Sequence, residues 1–321
     1  MLGLCLIWVK SHAQAEIPRD TTYTVWSTYQ KVKKQYPQIT VVKPLQSPNI
    51  VQRFDVPYVT LQFGNASREL TADLFYPKEI KQKLPSVVLV HGGGWRSGDK
   101  SMNSPLAQQL ALNGYFVMSV EYQLSLEAKY PAAVYNLKAA VRWLRSNSQE
   151  FQLNEKFIAI IGGSAGGQLA SLIGATNDNP QFEGNQGNAE FSSQVQAVVD
   201  LDGLLDFTDP ENLAVKRTAQ SADVFWLEGH YDSIPDKWRE ASPLYQVTKK
   251  SPPFLFINSS QARFHAGCKA MVAKLDSLHI KSEVVELKDA PHSYWFFDPW
   301  FKPMTDSILS FLNRTLKSNV E

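Results

Sequence analysis

The sequence predicts an α/β fold built around a mainly parallel sheet, and three observations carry that expectation. From about residue 55 onward, short apolar runs of strand length alternate with stretches of helical character. The first two runs, 56–63 and 70–76, follow each other at hairpin spacing, whereas helix-length segments separate the later ones. Two of the apolar runs stop abruptly at glycine clusters, His91-Gly92-Gly93-Gly94-Trp95 and Gly162-Gly163-Ser164-Ala165-Gly166-Gly167, as strands do where they open into tight turns.

Taken in order, residues 1–15 hold a short apolar block, Leu2 to Val9, and an A-x-A site at Ala13-Gln14-Ala15, with no Lys or Arg ahead of the block. They resemble a secretory signal peptide cleaved after Ala15, which implies a secreted or periplasmic protein. Residues 16–54 are polar, aromatic and punctuated by proline, and read as an N-terminal arm with one helix near 25–34. Residues 55–321 read as one domain. Its strands are expected at 56–63, 70–76, 86–90, 116–120, 157–161, 195–201, 254–257 and 282–287, each an apolar or alternating run of strand length. Its helices are expected at 106–112, 132–146, 168–174, 266–278 and 306–317. Residues 177–194, rich in Asn, Gly and Gln, read as a surface loop. The long segment 208–247, with Trp226, Tyr231, Trp238 and Tyr245, reads as an ordered lid of short helices.

Bulk properties exclude several function classes. The formal net charge is +1, which offers no electrostatic footprint for nucleic acid or an anionic membrane surface. No apolar run is long enough for an integral membrane span. The cysteines are Cys5 and Cys268, so removal of the leader would leave Cys268 alone and rule out an intramolecular disulfide. No histidine or cysteine pair has metal-ligand spacing, and the glycine loops match neither nucleotide-binding pattern, so neither a metal nor a cofactor is expected. The composition does not speak to oligomeric state.

The glycine clusters point to chemistry. In Gly162-Gly163-Ser164-Ala165-Gly166 a serine follows an apolar strand and precedes a helix, the pattern G-x-S-x-G. A sharp strand-to-helix turn tolerates only small neighbours, so the missing side chains let Ser164 project and let a carbonyl approach. Roughly 70 residues earlier, His91-Gly92-Gly93-Gly94 closes another apolar strand, as an oxyanion loop does. Backbone amides of Gly93, Gly94 and Ala165 are the candidate oxyanion donors, and His91 a structural hydrogen-bonder of its loop. Ser164 is the candidate nucleophile and needs a base. His292, after the last strand-like run and before the last helix, occupies the place that the order serine, acid, histidine reserves for it.

With these residues the chain resembles the α/β-hydrolase family, in particular its esterase branch with HGGG and G-x-S-A-G motifs. Val120 to Ser125 and Tyr130-Pro131-Ala132-Ala133 look like that branch as well. The likeness spans roughly residues 55–317. It implies an eight-stranded, mainly parallel sheet with helices on both faces and a lid insertion. More narrowly, Phe254–Ser259, Arg263 to Gly267 and Pro291-His292-Ser293 resemble bacterial esterases that accompany pectin- and hemicellulose-degrading systems.

The chain departs from that pattern in two places. Related esterases usually carry Arg where Gln123 stands and Asp where Asn136 stands, so the two amides are expected to lie together in place of a buried ion pair. The usual acid follows the strand 254–257, yet no carboxylate occurs between Glu240 and Asp276. The best substitute is the end of the preceding strand, Asp200-Leu201-Asp202-Gly203, with Asp202 nearer the mouth. Asp206 reads as a local hydrogen-bonder; Asp289 and Asp298 are near His292 in sequence but are expected to face away.

The resemblance implies a serine carboxylesterase that removes acetyl, feruloyl or methyl ester groups from plant polysaccharide through an acyl-enzyme, its partner a carbohydrate ester or small ester substrate. Trp95 and Trp295 are candidate sugar-contacting rings, and Arg263 and His265, standing where the acid usually does, candidates for binding an anionic group such as a uronate carboxylate. A serine peptidase or a lipase of the same fold, and a non-catalytic carbohydrate-binding protein suggested by the missing acid, stay open at this stage.

Overall fold

The computed structural model describes residues 17–317 apart from residue 65. The proposed leader, 1–15, lies outside the described residues. The centre is an eight-stranded sheet. Its strands are β1 (Ile50–Phe63), β2 (Ala66–Pro77), β3 (Leu84–Val90), β4 (Phe116–Val120), β5 (Leu153–Gly163), β6 (Ala197–Leu201), β7 (Phe254–Asn258) and β8 (Ser282–Glu286), in the spatial order β1-β2-β4-β3-β5-β6-β7-β8. β2 runs antiparallel to both of its neighbours, and every other pairing is parallel. All eight expected strands are present, and the mainly parallel sheet is as the alternating pattern required.

The strand sequences explain the layering. In β3 every residue is buried, because the strand lies in the middle of the sheet with cover on both faces. Alternation sends Val87 and Leu89 into one core and Val88 and Val90 into the other. The first core is closed by α2 (Ser104–Leu112) and α6 (Phe301–Leu312) together with the arm. The second is closed by α3 (Ala132–Ser146), α4 (Ala165–Ala175), α5 (Cys268–Ser277) and the lid. Each such aliphatic side chain contributes about 1.5–3 kcal/mol on full burial.

Element boundaries shift where tertiary packing overrides local pattern. β1 starts at Ile50, inside the segment read as arm, because Ile50 to Arg53 pair with Pro77 to Leu74 on β2. The last helix starts at Phe301, five residues before the expected position: Phe301, Met304, Ile308, Phe311 and Leu312 are buried at helical spacing. The lid segment carries four short helices, Pro210–Leu213, Ala222–Leu227, Pro235–Ala241 and Pro243–Gln246. Its two tryptophans are structural: Trp226 and Trp238 are fully buried, and Trp226 stacks on Trp95 with centroids 4.8 Å apart and planes 6° from parallel.

The arm is fixed to the domain at both ends of its helix, α1 (Val25–Val32). Thr24 and Ser27 form a reciprocal capping box that starts it. The Tyr23 amide donates to Ser97 Oγ at 3.1 Å, and the Tyr23 hydroxyl lies 3.2 Å from Ser293 Oγ. Beyond α1, Thr40–Val41 pairs antiparallel with Phe297–Asp298, and Tyr36 meets Trp300 edge-on. The arm therefore touches the loop after β3 and the segment after β8, the two regions that frame the site described next.

Candidate active site

Ser164 sits on the turn between β5 and α4 with φ 56° and ψ −122°, a conformation that L-residues rarely adopt. The surrounding backbone leaves no room for side chains. A Cβ on Gly162 would lie 2.0 Å from the Gly166 carbonyl oxygen, and one on Gly166 would lie 2.3 Å from that of Val90. The glycines are thus required by close backbone approach. The Ser164 amide donates to Leu201 O at 2.9 Å, which ties the turn to the end of β6.

His292 Nε2 lies 2.9 Å from Ser164 Oγ. Its Nδ1 lies 2.8 Å from Asp202 Oδ2, so the tautomer that donates from Nδ1 leaves Nε2 free to accept the serine proton. Burial pulls the His292 pKa below the usual imidazole value, against the opposing pull of Asp202; Arg263 and His265 lower it further. The imidazole is clamped between rings: Phe264 lies flat against it, with centroids 3.5 Å apart, and Trp295 stands edge-on at 5.3 Å.

Asp202 is the residue immediately after β6, at φ 56°, and its amide donates to Ile257 O on β7. Its carboxylate is wholly buried. Oδ1 accepts from the Ser259 amide at 2.9 Å and faces His265 Nδ1 at 2.8 Å, while Oδ2 is left for His292. Burial alone would push this carboxyl up; His265, His292 and the Ser259 donor outweigh it and hold the pKa at about 2. The acid therefore stands one strand earlier than the usual place, and the loop that would have carried it supplies Ser259 and His265 as donors instead.

Of the remaining acids, Asp200 faces the other way, accepting from Ser171 Oγ at 2.6 Å and from the Gly203 amide. Asp206 accepts from the Thr208 amide and hydroxyl, as a local turn residue. Asp289 is exposed, and Asp298 pairs with Thr40 in the small sheet.

Gly94 and Ala165 line a cleft of about 360 Å³ together with Ser164. Ala165 is the first residue of α4, where an amide has no intrahelical acceptor. Gly93 has φ +123°, and a Cβ there would strike the Ser97 carbonyl oxygen at 2.1 Å, so only glycine fits; it is next to Gly94 in the chain but is not among the residues that line the cleft. His91 serves its loop: it is buried, its Nδ1 contacts Gly92 O at 2.8 Å, and its ring stacks on Tyr122.

The residues expected at the substrate divide. Arg263 lines the cleft, exposed, with its guanidinium over the Phe264 ring and no carboxylate partner among the described residues. Trp95 also lines the cleft, but Trp226 covers a face of its indole and Nε1 donates to Gln168 Oε1 at 2.8 Å. His265 and Trp295 are corrected. His265 bonds the acid, because the loop after β7 folds it onto Asp202 Oδ1. Trp295 is buried behind the nucleophile turn, where its ring fills the space beside Gly163. Two contributors were missed: Lys216 in the lid and Phe264. The aromatic residue between Arg263 and His265 was visible in the sequence, but nothing local indicated that it stacks on the imidazole. The amides Gln123 and Asn136 do meet, with Asn136 Oδ1 accepting from the Gln123 amide at 2.9 Å and the side chains 3.2 Å apart.

A mostly parallel sheet with a serine on its strand-to-helix elbow, a histidine within hydrogen-bond reach and a buried carboxylate behind it defines an α/β-hydrolase with a serine nucleophile. The chain belongs to the BD-FAE family, whose model matches residues 72–268, more than half of its length. It is similar to Esterase LipC of Mycobacterium tuberculosis, 29% identical over 262 residues, covering 78% of this chain and 63% of that protein. It is also similar to Esterase LipQ of the same organism, 25% identical over 250 residues, covering 77% of this chain and 58% of that one. The chain thus spans less than two thirds of either relative's length. Among solved structures it is similar to a truncated form of a carbohydrate esterase from gut microbiota, with TM-score 0.73 and 25% identity, covering 85% of this chain and 100% of the other. A bifunctional GH43-CE protein from Bacteroides eggerthii matches with TM-score 0.72 and 25% identity, covering 83% of this chain and 35% of that one.

Proposed function

We infer that this chain is a secreted or periplasmic serine carboxylesterase that removes acyl groups, acetyl or feruloyl, or methyl groups from ester positions of a plant polysaccharide. The observation that carries the reading is the unbroken series Ser164 Oγ, His292 and Asp202, with 2.9 Å and 2.8 Å contacts. In acylation His292 Nε2 takes the Ser164 proton as Oγ bonds to the ester carbonyl carbon. The amides of Gly94 and Ala165, with Gly93 beside them, face the developing oxyanion; one such donor is worth about 2.7–4 kcal/mol. Collapse breaks the bond to the alcohol oxygen, which leaves with the proton from His292. Water then attacks the acyl-enzyme, giving its proton to His292, and the acid is released as Ser164 regains its own. Asp202 orients the ring and stabilises the imidazolium without taking the proton.

The carbohydrate part of the reading is supported by the carbohydrate-esterase neighbours and by two cationic residues at the cleft, Arg263 and Lys216, which lack carboxylate partners among the described residues. Such a pair suits an anionic substituent such as a uronate. The resemblance of residues 1–15 to a secretory signal peptide supports export. The test is ester release from acetylated xylan, pectin and feruloylated arabinoxylan, together with a serine-reactive phosphonate. Release from one of these, labelling at Ser164, and loss of both in Ser164→Ala are expected. A protein that binds the polysaccharides yet neither releases product nor takes the label would overturn the enzyme reading in favour of a carbohydrate-binding protein.

A further inference from the structure

Ser164 and His292 open onto different spaces. Ser164 lines the 360 Å³ cleft beneath the lid, whereas His292 lines a second groove of about 570 Å³ on the side of the N-terminal arm. Phe264 lines both, and by lying flat on the imidazole it forms the partition between them. We propose that the arm-side groove binds the sugar from which the acyl group is removed, so that the arm is a substrate-binding wall.

The two halves of an ester must go to different places during cleavage, and the groove's role rests on the esterase reading above. The acyl carbon sits over Ser164 and the amides of Gly94 and Ala165, which all line the lid-side cleft. The departing oxygen must come within hydrogen-bond reach of the group that protonates it. That group is His292: its Nε2 lies 2.9 Å from Ser164 Oγ, and the residue also lines the arm-side groove, so an alcohol bonded beside Nε2 has that groove as the space next to it.

The lining matches a polyhydroxylated alcohol. Gln35 and Gln261 present amides, Lys31 an ammonium, and Tyr36 an aromatic ring. Hydroxyl and amide groups complement the edges of a pyranose, and aromatic rings its C–H faces. The wall is also held in place: Tyr23 reaches Ser97 and Ser293, and Thr40–Val41 is paired into the small sheet. A third hollow of about 460 Å³, on the other side of Tyr23, is lined by Val25, Val42, Pro105 and Phe296 and contains neither Ser164 nor His292.

The experiment compares wild type with Lys31→Ala/Gln35→Ala and with Gln35→Trp, which narrows the groove. Two substrates are followed: 4-nitrophenyl acetate, whose leaving group is small, and whichever acetylated or feruloylated oligosaccharide of xylan, pectin or arabinoxylan origin wild type cleaves fastest. The ratio of kcat/KM for the oligosaccharide over that for the aryl ester is expected to fall about tenfold or more in both variants, roughly the loss of one or two hydrogen bonds. Inhibition of aryl-ester cleavage by the deacylated oligosaccharide should weaken in step. An unchanged ratio with wild-type turnover intact overturns the groove assignment alone. Parallel losses on both substrates also overturn it, since they mark the arm as a support for the His292 segment. Failure of wild type to cleave any ester, with no phosphonate label at Ser164, overturns the esterase reading and this assignment with it.

Discussion

His265 holds the buried carboxylate of Asp202 through the oxygen that His292 leaves free, with Nδ1 2.8 Å from Oδ1. The acid is therefore gripped by two imidazoles and one backbone amide. A carboxylate moved one strand away from its usual loop has lost the supports that loop would give it; here the same loop returns them through Ser259 and His265. His265→Gln is expected to lower kcat about 10–100-fold, the range for a hydrogen bond to a charged group. Asp202→Asn should cost about 10⁴-fold, because it favours the wrong His292 tautomer. Steady-state turnover of an aryl ester checks both, and an unimpaired His265→Gln would free that residue from the acid.

The acid limb of kcat/KM reports His292 in the free enzyme. Only the neutral ring accepts the serine proton, and burial keeps its pKa below the ordinary value. The inflection is therefore expected below about pH 6.5, with activity retained into mildly acidic solution. Phe264→Ala would admit water to the ring face that Phe264 now covers and so relieve the desolvation. Its inflection should move upward, towards the ordinary value; a downward move would contradict burial as the cause.

Asp200 gives a stability prediction of opposite character. Burial raises its pKa from 3.8 to about 7, partly offset by the Ser171 and Gly203 donors. The folded state thus prefers the protonated carboxyl. This group's stabilising contribution is complete below the unfolded value and is lost as pH rises through the folded one. Asp200→Asn, neutral at every pH, should match wild type near pH 4 and exceed it at pH 8. A Tm gain of about 1–2 °C at pH 8 corresponds to ~1 kcal/mol in a chain of this size. Thermal melts across that range provide the measurement.

The Gln123 and Asn136 pair predicts coupling. Asn136 is fully buried and bonds Gln123 and Gln186. Asn136→Asp alone places an uncompensated charge there and should destabilise by about 3–5 kcal/mol at neutral pH. Adding Gln123→Arg should recover most of that loss. A double-mutant cycle by urea denaturation decides the matter, and additive losses would mean the two sites do not sense each other.

Fold and nucleophile were legible because they rest on local signals. Eight apolar runs with helical intervals define the sheet, and glycines around Ser164 are needed within a few residues of it. His292 was legible by chain order, and Asp202 by elimination once the later loop proved free of carboxylates. What sequence reading misassigned depends on long-range approach. His265 and Trp295 have residue types that suit substrate contact, yet one is folded onto an acid 63 positions away and the other is buried against Gly163. Phe264 and Lys216 meet the cleft only because the loop after β7 and the lid converge there. The arm read as a polar, proline-punctuated segment; its attachment to residues 97, 293 and 298 has no local signature at all.

That attachment has a consequence for biosynthesis. The arm is fastened to a segment that leaves the ribosome about 250 residues later, since Thr40 pairs with Asp298. A nascent chain already holding the serine elbow and its glycine loop still lacks the imidazole and the partner strand for its own beginning. Acyl chemistry therefore stays silent until the segment around residue 298 has been made, and a chain cut short before His292 would emerge with a nucleophile and nothing to wake it.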